Sequence, residues 1–150
     1  ANERKAKNPN TGTLDGIAVA LPSLVRAFKI QKRAARVGFD WPNVKGAFNK
    51  LHEEILELKE EINKPIKEED RLMDEIGDCI FSIVNVARKL DINPEEALKK
   101  GNQKFQSRFQ FIETTLESSK KTFEEMSLIE LEDLWKKGKN TLISKKAKGI

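Results

Sequence analysis

The chain has 150 residues, 28 Lys and Arg against 24 Asp and Glu, a formal charge of +4, and 38% apolar with 35% charged residues. That size fits one domain able to bury roughly two thirds of its unfolded surface, and the composition is that of a helix-rich protein with solvated outer faces. Nothing approaches the roughly 18 consecutive apolar residues of a membrane span, and no signal-peptide pattern is present, so a cytoplasmic protein without a membrane partner is expected.

Residues 1–20 begin at Ala1 and are rich in Asn, Gly and Pro, which predicts a flexible lead, with the chain read as a piece of a longer polypeptide. A domain over residues 21–140 follows. Helix one is predicted from Pro22 to about Val37 with Gly38 as its stop, packing through Leu24, Ala27, Phe28, Ala34 and Ala35. In the connector, Asp40 can cap and Pro42 can start a second helix running to about Asn63, and Trp41 is read as structural. A third helix spans roughly Glu68 to Leu90, and the short connection predicts that it runs antiparallel to the second. Asn93 and Pro94 open a fourth helix to about Ser118, burying Leu98, Phe105, Phe109, Ile112 and Leu116. Ser127 and Glu130 form a capping box for a short fifth helix that Gly138 ends. Residues 141–150 read as a basic, flexible tail. The pattern is all-α.

The chain's chemistry is concentrated at its centre. Eleven of the 24 acidic residues lie between Glu53 and Asp78, although the protein is net basic. Glu54 with Glu57 and Glu75 with Asp78 are each spaced i, i+3, which puts each pair on one helix face. On the second helix, Val44, Phe48, Leu51, Ile55, Leu58 and Ile62 form a stripe for a core, flanked by Lys50, Glu54, Glu57 and Glu61. Glu53 points nearly the opposite way. On the third helix a polar strip of Arg71, Glu75, Asp78, Ser82 and Asn85 is bordered by apolar residues from Ile76 to Leu90, so partial burial is expected. Four facing carboxylates cannot all stay ionised at neutral pH without a cation. An all-oxygen site suits Mg²⁺ or Mn²⁺ better than zinc, and Mg²⁺ commonly takes substrate phosphates as further ligands. Cations for a polyphosphate are at hand: Lys50 precedes Glu54 by one turn, Arg71 precedes Glu75 by one turn, and Lys104 with Arg108 share a flank of the fourth helix.

The plainer readings of the same residues are solvated helix faces and packing. Glu60, Glu61, Glu68 and Glu69 are read as solvated salt-bridging groups. The single cysteine, Cys79, excludes an internal disulfide and reads as a buried structural thiol. His52, the lone histidine, reads as a surface or packing residue.

The stretch Val37-Gly38-Phe39-Asp40-Trp41, then Glu53-Glu54-Ile55-Leu56-Glu57, Glu75-Ile76-Gly77-Asp78, Asn102-Gln103-Lys104-Phe105 and Arg108-Phe109 resembles the MazG family of nucleoside triphosphate pyrophosphohydrolases. The resemblance covers about residues 17 to 140 and is greatest to the second, catalytic domain of a longer MazG protein. It implies a four-helix-bundle-like all-α fold with a short additional C-terminal helix, a homodimer, and Mg²⁺-dependent hydrolysis of a nucleoside triphosphate to monophosphate and pyrophosphate. Position by position it implies metal ligation by Glu54, Glu57, Glu75 and Asp78, with Glu53 also in the catalytic motif, and a phosphate clamp of Lys50, Arg71, Lys104 and Arg108. Asn102 belongs to the same motif, and Trp135 is the candidate to stack on the base. A competing expectation is a metal-stabilised helical dimerisation module without catalysis. Nucleic-acid binding through the basic surfaces is disfavoured, because the conspicuous central cluster is acidic.

Overall fold

The computed structural model describes residues 12–147, with side chains through residue 143. In chain order it contains α1 (Ser23–Arg36), α2 (Val44–Ile62), α3 (Glu69–Lys89), α4 (Pro94–Ser118), a single 3₁₀ turn (Phe123–Glu125) and α5 (Leu128–Ala147). The fold is all-α, with no strand among the described residues. By their internal contacts the residues fall into two compact units, Ala1–Glu96 and Ala97–Ile150.

In the first unit α2 and α3 form an antiparallel hairpin, because Ala47 and Leu51 near the start of α2 pack with Val86 near the end of α3. Val44 adds to that cluster, and α1 packs on α3. The predicted helix ends hold to within a residue or two. At the end of α1 the amides of Gly38 and Phe39 donate to the carbonyls of Ala35 and Ala34, a Schellman closure with Gly38 at φ +98°. Asp40 does not cap α2. Asn43 does, accepting from the Lys45 amide at 3.0 Å, and Asp40 instead accepts from Arg88 and Lys89 on α3. Asn93 caps α4 as expected, accepting from the amides of Glu95 and Glu96.

Of the predicted N-terminal lead, residues 1–11 lie outside the described residues. Within 12–20, Ile17 is buried and Arg33 of α1 donates to the carbonyls of Thr13 and Asp15. The stripe expected to be core on α2 is only partly so: Ala47 and Leu51 are buried, but Phe48, Ile55 and Ile62 stay about half-exposed. The same holds on α3, where Ile76, Ile80 and Ile83 are half-exposed, whereas Ser82 of the polar strip is buried.

In the second unit, Ile112 and Leu116 of α4 are buried while Leu98 and Phe105 keep more than half their surface. The predicted capping box opens α5: the Glu130 amide donates to Ser127 Oγ at 3.2 Å, and the Ser127 amide donates to Glu130 Oε1 at 3.3 Å. Gly138 does not end this helix, which continues through Ala147. It is a close-approach position, where an added Cβ would lie 2.9 Å from Phe111 Cδ1. Lys145 and Lys146 of the predicted tail therefore fall in helical backbone, and Lys148 lies outside the described residues.

Candidate metal centre and adjoining cavity

The antiparallel α2–α3 hairpin brings Glu54 and Glu57 of α2 against Glu75 of α3. One carboxylate oxygen from each lies within 4.8 Å of the other two, a spacing that can hold a metal ion. Glu54 is 6% exposed, and its Oε2 is buried without a hydrogen-bond partner, as is Oε2 of Glu75. Buried carboxylate oxygens are normally satisfied. Two orphans in one cluster, both hard oxygen donors, are what a divalent cation would complete.

The electrostatics agree. The neighbouring Glu54 charge raises the proton affinity of Glu57, and burial, followed by the charge of Asp78, raises that of Glu75. Burial likewise pushes the Cys79 thiol up, assisted by the same carboxylates, so the half-buried sulfur stays protonated and is not an activated nucleophile. Asp78 falls outside the close trio but lines the cavity beside it together with Glu54 and Lys50.

Lys50 Nζ lies 3.1 Å from Glu54 Oε1 and 3.3 Å from Glu53 Oε2, and these bonds, that from Glu54 foremost, raise its pKa. Glu53 thus points outward, as the helical wheel requires, yet is tied to the cluster through a shared lysine. Glu61, grouped in the sequence with the solvated glutamates, is buried at 7% exposure and pairs with Lys64 at 2.7 Å. Arg71 is exposed and pairs with Glu68 at 3.1 Å. His52 is exposed.

The cavity has a volume of about 600 Å³ and is walled by α1, α2, α3 and the connector between α1 and α2. Trp41 forms part of the connector wall and lies over Gly46, where an added Cβ would come 2.7 Å from the indole ring. Asp40 anchors this wall. It accepts from the Arg88 guanidinium and from Lys89 Nζ at 3.2 Å, while Lys89 also donates to the Trp41 carbonyl at 2.7 Å. The Arg88 bond, supported by Lys89, holds the Asp40 carboxyl at about 2 against an ordinary 3.8.

Asn102, Lys104, Arg108 and Trp135 belong to the second unit. There the Arg108 guanidinium sits 5.3 Å from the Trp135 ring centroid, and the Phe105 ring lies 5.3 Å from the same indole. Trp135 is half-buried, so packing is part of its role.

Gln31, Asp40, Arg88 and Lys89 were not singled out by sequence as site residues. Gln31 carried a signal, since it falls between Ala27 and Ala34 at helical spacing, in the middle of the apolar face of α1. The Asp40 pairings join residues 48 and 49 positions apart, for which no local pattern exists.

Residues 44–111 match the MazG nucleotide pyrophosphohydrolase domain, a span that contains α2, α3 and most of α4. The chain is 38% identical over 135 residues to the nucleoside triphosphate pyrophosphohydrolase/pyrophosphatase MazG of Thermotoga maritima, covering 90% of this chain and 50% of that protein. It is 37% identical over 137 residues to the nucleoside triphosphate pyrophosphohydrolase of Escherichia coli, covering 91% of this chain and 52% of that protein. The chain thus spans about half the length of the curated relatives it matches. No helix among the described residues is long and apolar enough to cross a membrane.

Proposed function

From a chain that carries a MazG nucleotide pyrophosphohydrolase domain over residues 44–111, we propose a protein that hydrolyses nucleoside triphosphates to the monophosphate and pyrophosphate with Mg²⁺, or Mn²⁺, as cofactor. The observation that carries this reading is the trio Glu54, Glu57 and Glu75 with its two orphaned oxygens, opening beside a cavity large enough for a nucleotide. Glu54, Glu57, Glu75 and Asp78 would hold the ion, the last from the cavity side. When bound, it supplies charge neutralisation for the phosphates and a lower pKa for an attacking water.

The chain's own groups do the rest. Lys50 is held between Glu53 and Glu54, so Glu53 positions a cation at the edge of the cluster. Phosphate contacts are assigned to Lys50 and Arg71 in the first unit and, as the family resemblance implies, to Lys104 and Arg108 in the second, each to offset charge that develops as water attacks the α-phosphorus and pyrophosphate leaves. An arginine at position 71 can grip phosphate through two parallel bonds. Asn102 contributes to substrate binding, and Trp135 stacks on the substrate through the ring that Arg108 also covers. No catalytic base is assigned.

The homodimer belongs to the same reading. Ile76, Ile80 and Ile83 recur at helical spacing on α3 and remain half-exposed, as do Ile55 and Ile62 on α2. Such a face in a chain of this charge is the kind a second copy covers. The setting is cytoplasmic, where triphosphates and Mg²⁺ coexist.

The test is incubation of the purified chain with each common NTP and Mg²⁺, with an EDTA control, followed by anion-exchange separation. Monophosphate plus pyrophosphate, lost with EDTA, is the expected result. Diphosphate plus orthophosphate would move the attack to the γ-phosphorus and refute it. Metal-dependent dimerisation without any product would instead favour the non-catalytic helical module.

A further inference from the structure

α1 carries Arg26, Lys29, Lys32, Arg33 and Arg36 and no acidic residue. Like charges a turn apart on a helix repel, and α2 relieves this by pairing Lys50 with Glu53 and Glu54. On α1 nothing does so. Among the described residues no carboxylate forms an ion pair with Lys29, Lys32, Arg33 or Arg36. The helix dipole favours Arg33 and Arg36 in the last turn, but it does nothing for Lys29 and Lys32 before it.

These four cations line a cavity of about 380 Å³ that shares no lining residue with the cavity beside the carboxylates. Counted from Gln31, which is buried and donates to the Phe81 carbonyl of α3, Lys32, Arg36, Lys29 and Arg33 lie about 100°, 140°, 160° and 200° around the helix. The cavity therefore opens on the side of α1 turned away from α3. Two of its polar groups are fixed in place. Arg33 Nη1 donates to the carbonyls of Thr13 and Asp15 at 3.1 and 3.2 Å, which seats the guanidinium and leaves its other N–H groups to donate. Asn93 Oδ1 accepts from the amides of Glu95 and Glu96, so its NH₂ is the end left for a ligand. Val25 and Phe28 complete the lining, and no lining residue is acidic.

We infer that this cavity is a second anion site, for a compact polyphosphate, separate from the carboxylate cluster. Four cations and an amide donor around so small a space suit an anion of several charges, whereas a single carboxylate would leave most of the cations unpaired. A nucleic-acid strand needs a charged track that follows its backbone, and these cations converge on one concavity. Free pyrophosphate and the phosphate tail of a nucleotide share the required chemistry. The site binds without reacting, since it offers no carboxylate to hold a metal.

The experiment titrates the chain with inorganic pyrophosphate by calorimetry in EDTA, so that no metal bridges phosphate to Glu54, Glu57 and Glu75, at about 0.15 M salt to screen scattered surface charge. The expected result is a single pyrophosphate per chain, bound about tenfold more weakly by Lys32→Gln and by Arg36→Gln and equally well by Lys50→Gln. Lys32 and Arg36 are exposed, so neither substitution disturbs packing. Amide NMR of the wild type locates the anion without a variant, through shifts of the resonances from Lys29 to Arg36 and of the Asn93 NH₂. An α,β-methylene nucleoside triphosphate titrated alongside identifies the source. Tighter binding than pyrophosphate assigns the site to a nucleotide, and equal or weaker binding assigns it to the free anion. Absence of pyrophosphate binding, binding undiminished in both variants, or shifts centred on Lys50 and Arg71 would overturn the inference. So would a single-stranded oligonucleotide that binds more tightly than either ligand and is weakened by the same two substitutions. None of these outcomes bears on NTP hydrolysis in Mg²⁺, which is tested apart.

Discussion

Replacing Asp40 with Asn tests whether the connector wall is held by charge. The Asp40 carboxyl sits at about 2 when folded against 3.8 ordinarily, a difference worth about 2.4 kcal/mol at 1.36 kcal/mol per unit. Its side chain is 25% exposed and its residue lies at the surface, so solvent screening reduces the usable part to about 1 kcal/mol. Because folding lowers this pKa, the stabilisation is fully present above 3.8 and is lost as pH falls through about 2. Asp40→Asn should therefore cost about 1 kcal/mol at pH 7, a fall of roughly 2–4 °C in Tm for a chain of this size. Urea titrations of both proteins at pH 7, 4, 3 and 2, followed by circular dichroism, measure the difference directly. It should shrink across the acid limb and be smaller in high salt. Equal stability at pH 7, or a difference that persists undiminished at pH 2, would refute the charge argument. Since the Lys89 bond to the Trp41 carbonyl shares this anchor, nucleotide KM should rise in the variant.

Glu57→Gln should change sign with metal. Glu54 raises the Glu57 pKa, so folding favours its protonated form, and metal-free wild type loses stability as pH climbs above the ordinary 4.5. The variant escapes that loss and should be the more stable protein without metal at pH 7; with Mg²⁺ it should gain less than wild type and turn over at least about 100-fold more slowly. Denaturant titrations with and without Mg²⁺, and a variant less stable than wild type in both, would count against the cluster. Arg108→Ala should raise KM or slow turnover without changing metal affinity, and should alter the emission of Trp135, whose ring it covers at 5.3 Å; unchanged kinetics would remove Arg108 from the clamp. Lys120 closes α4 in a left-handed conformation at φ +54°, so Lys120→Gly should stabilise by about 1 kcal/mol in a denaturant titration.

What the sequence made legible was local. The i, i+3 carboxylate pairs, the outward turn of Glu53, and the caps at Asn93 and Ser127 depend on a few consecutive residues, and their geometry follows from helix periodicity alone. Gly138 misled because its packing against Phe111, a contact across 27 positions, outweighs its local cost as a helix breaker. Gln31 interrupts an apolar stripe, a pattern with two opposite meanings until the partner carbonyl of Phe81 is seen. The apolar circumference of α3 carries the deeper lesson. Periodicity says that a face needs covering, and it does not say by which chain. On α3 the polar Ser82 is buried under neighbours from its own chain, whereas Ile76, Ile80 and Ile83 are half-exposed. A helix that is apolar nearly all round has to be covered nearly all round, and α1 and α2 cover only part of it. The polar strip has therefore claimed the intramolecular neighbours, and the isoleucines keep about half their surface.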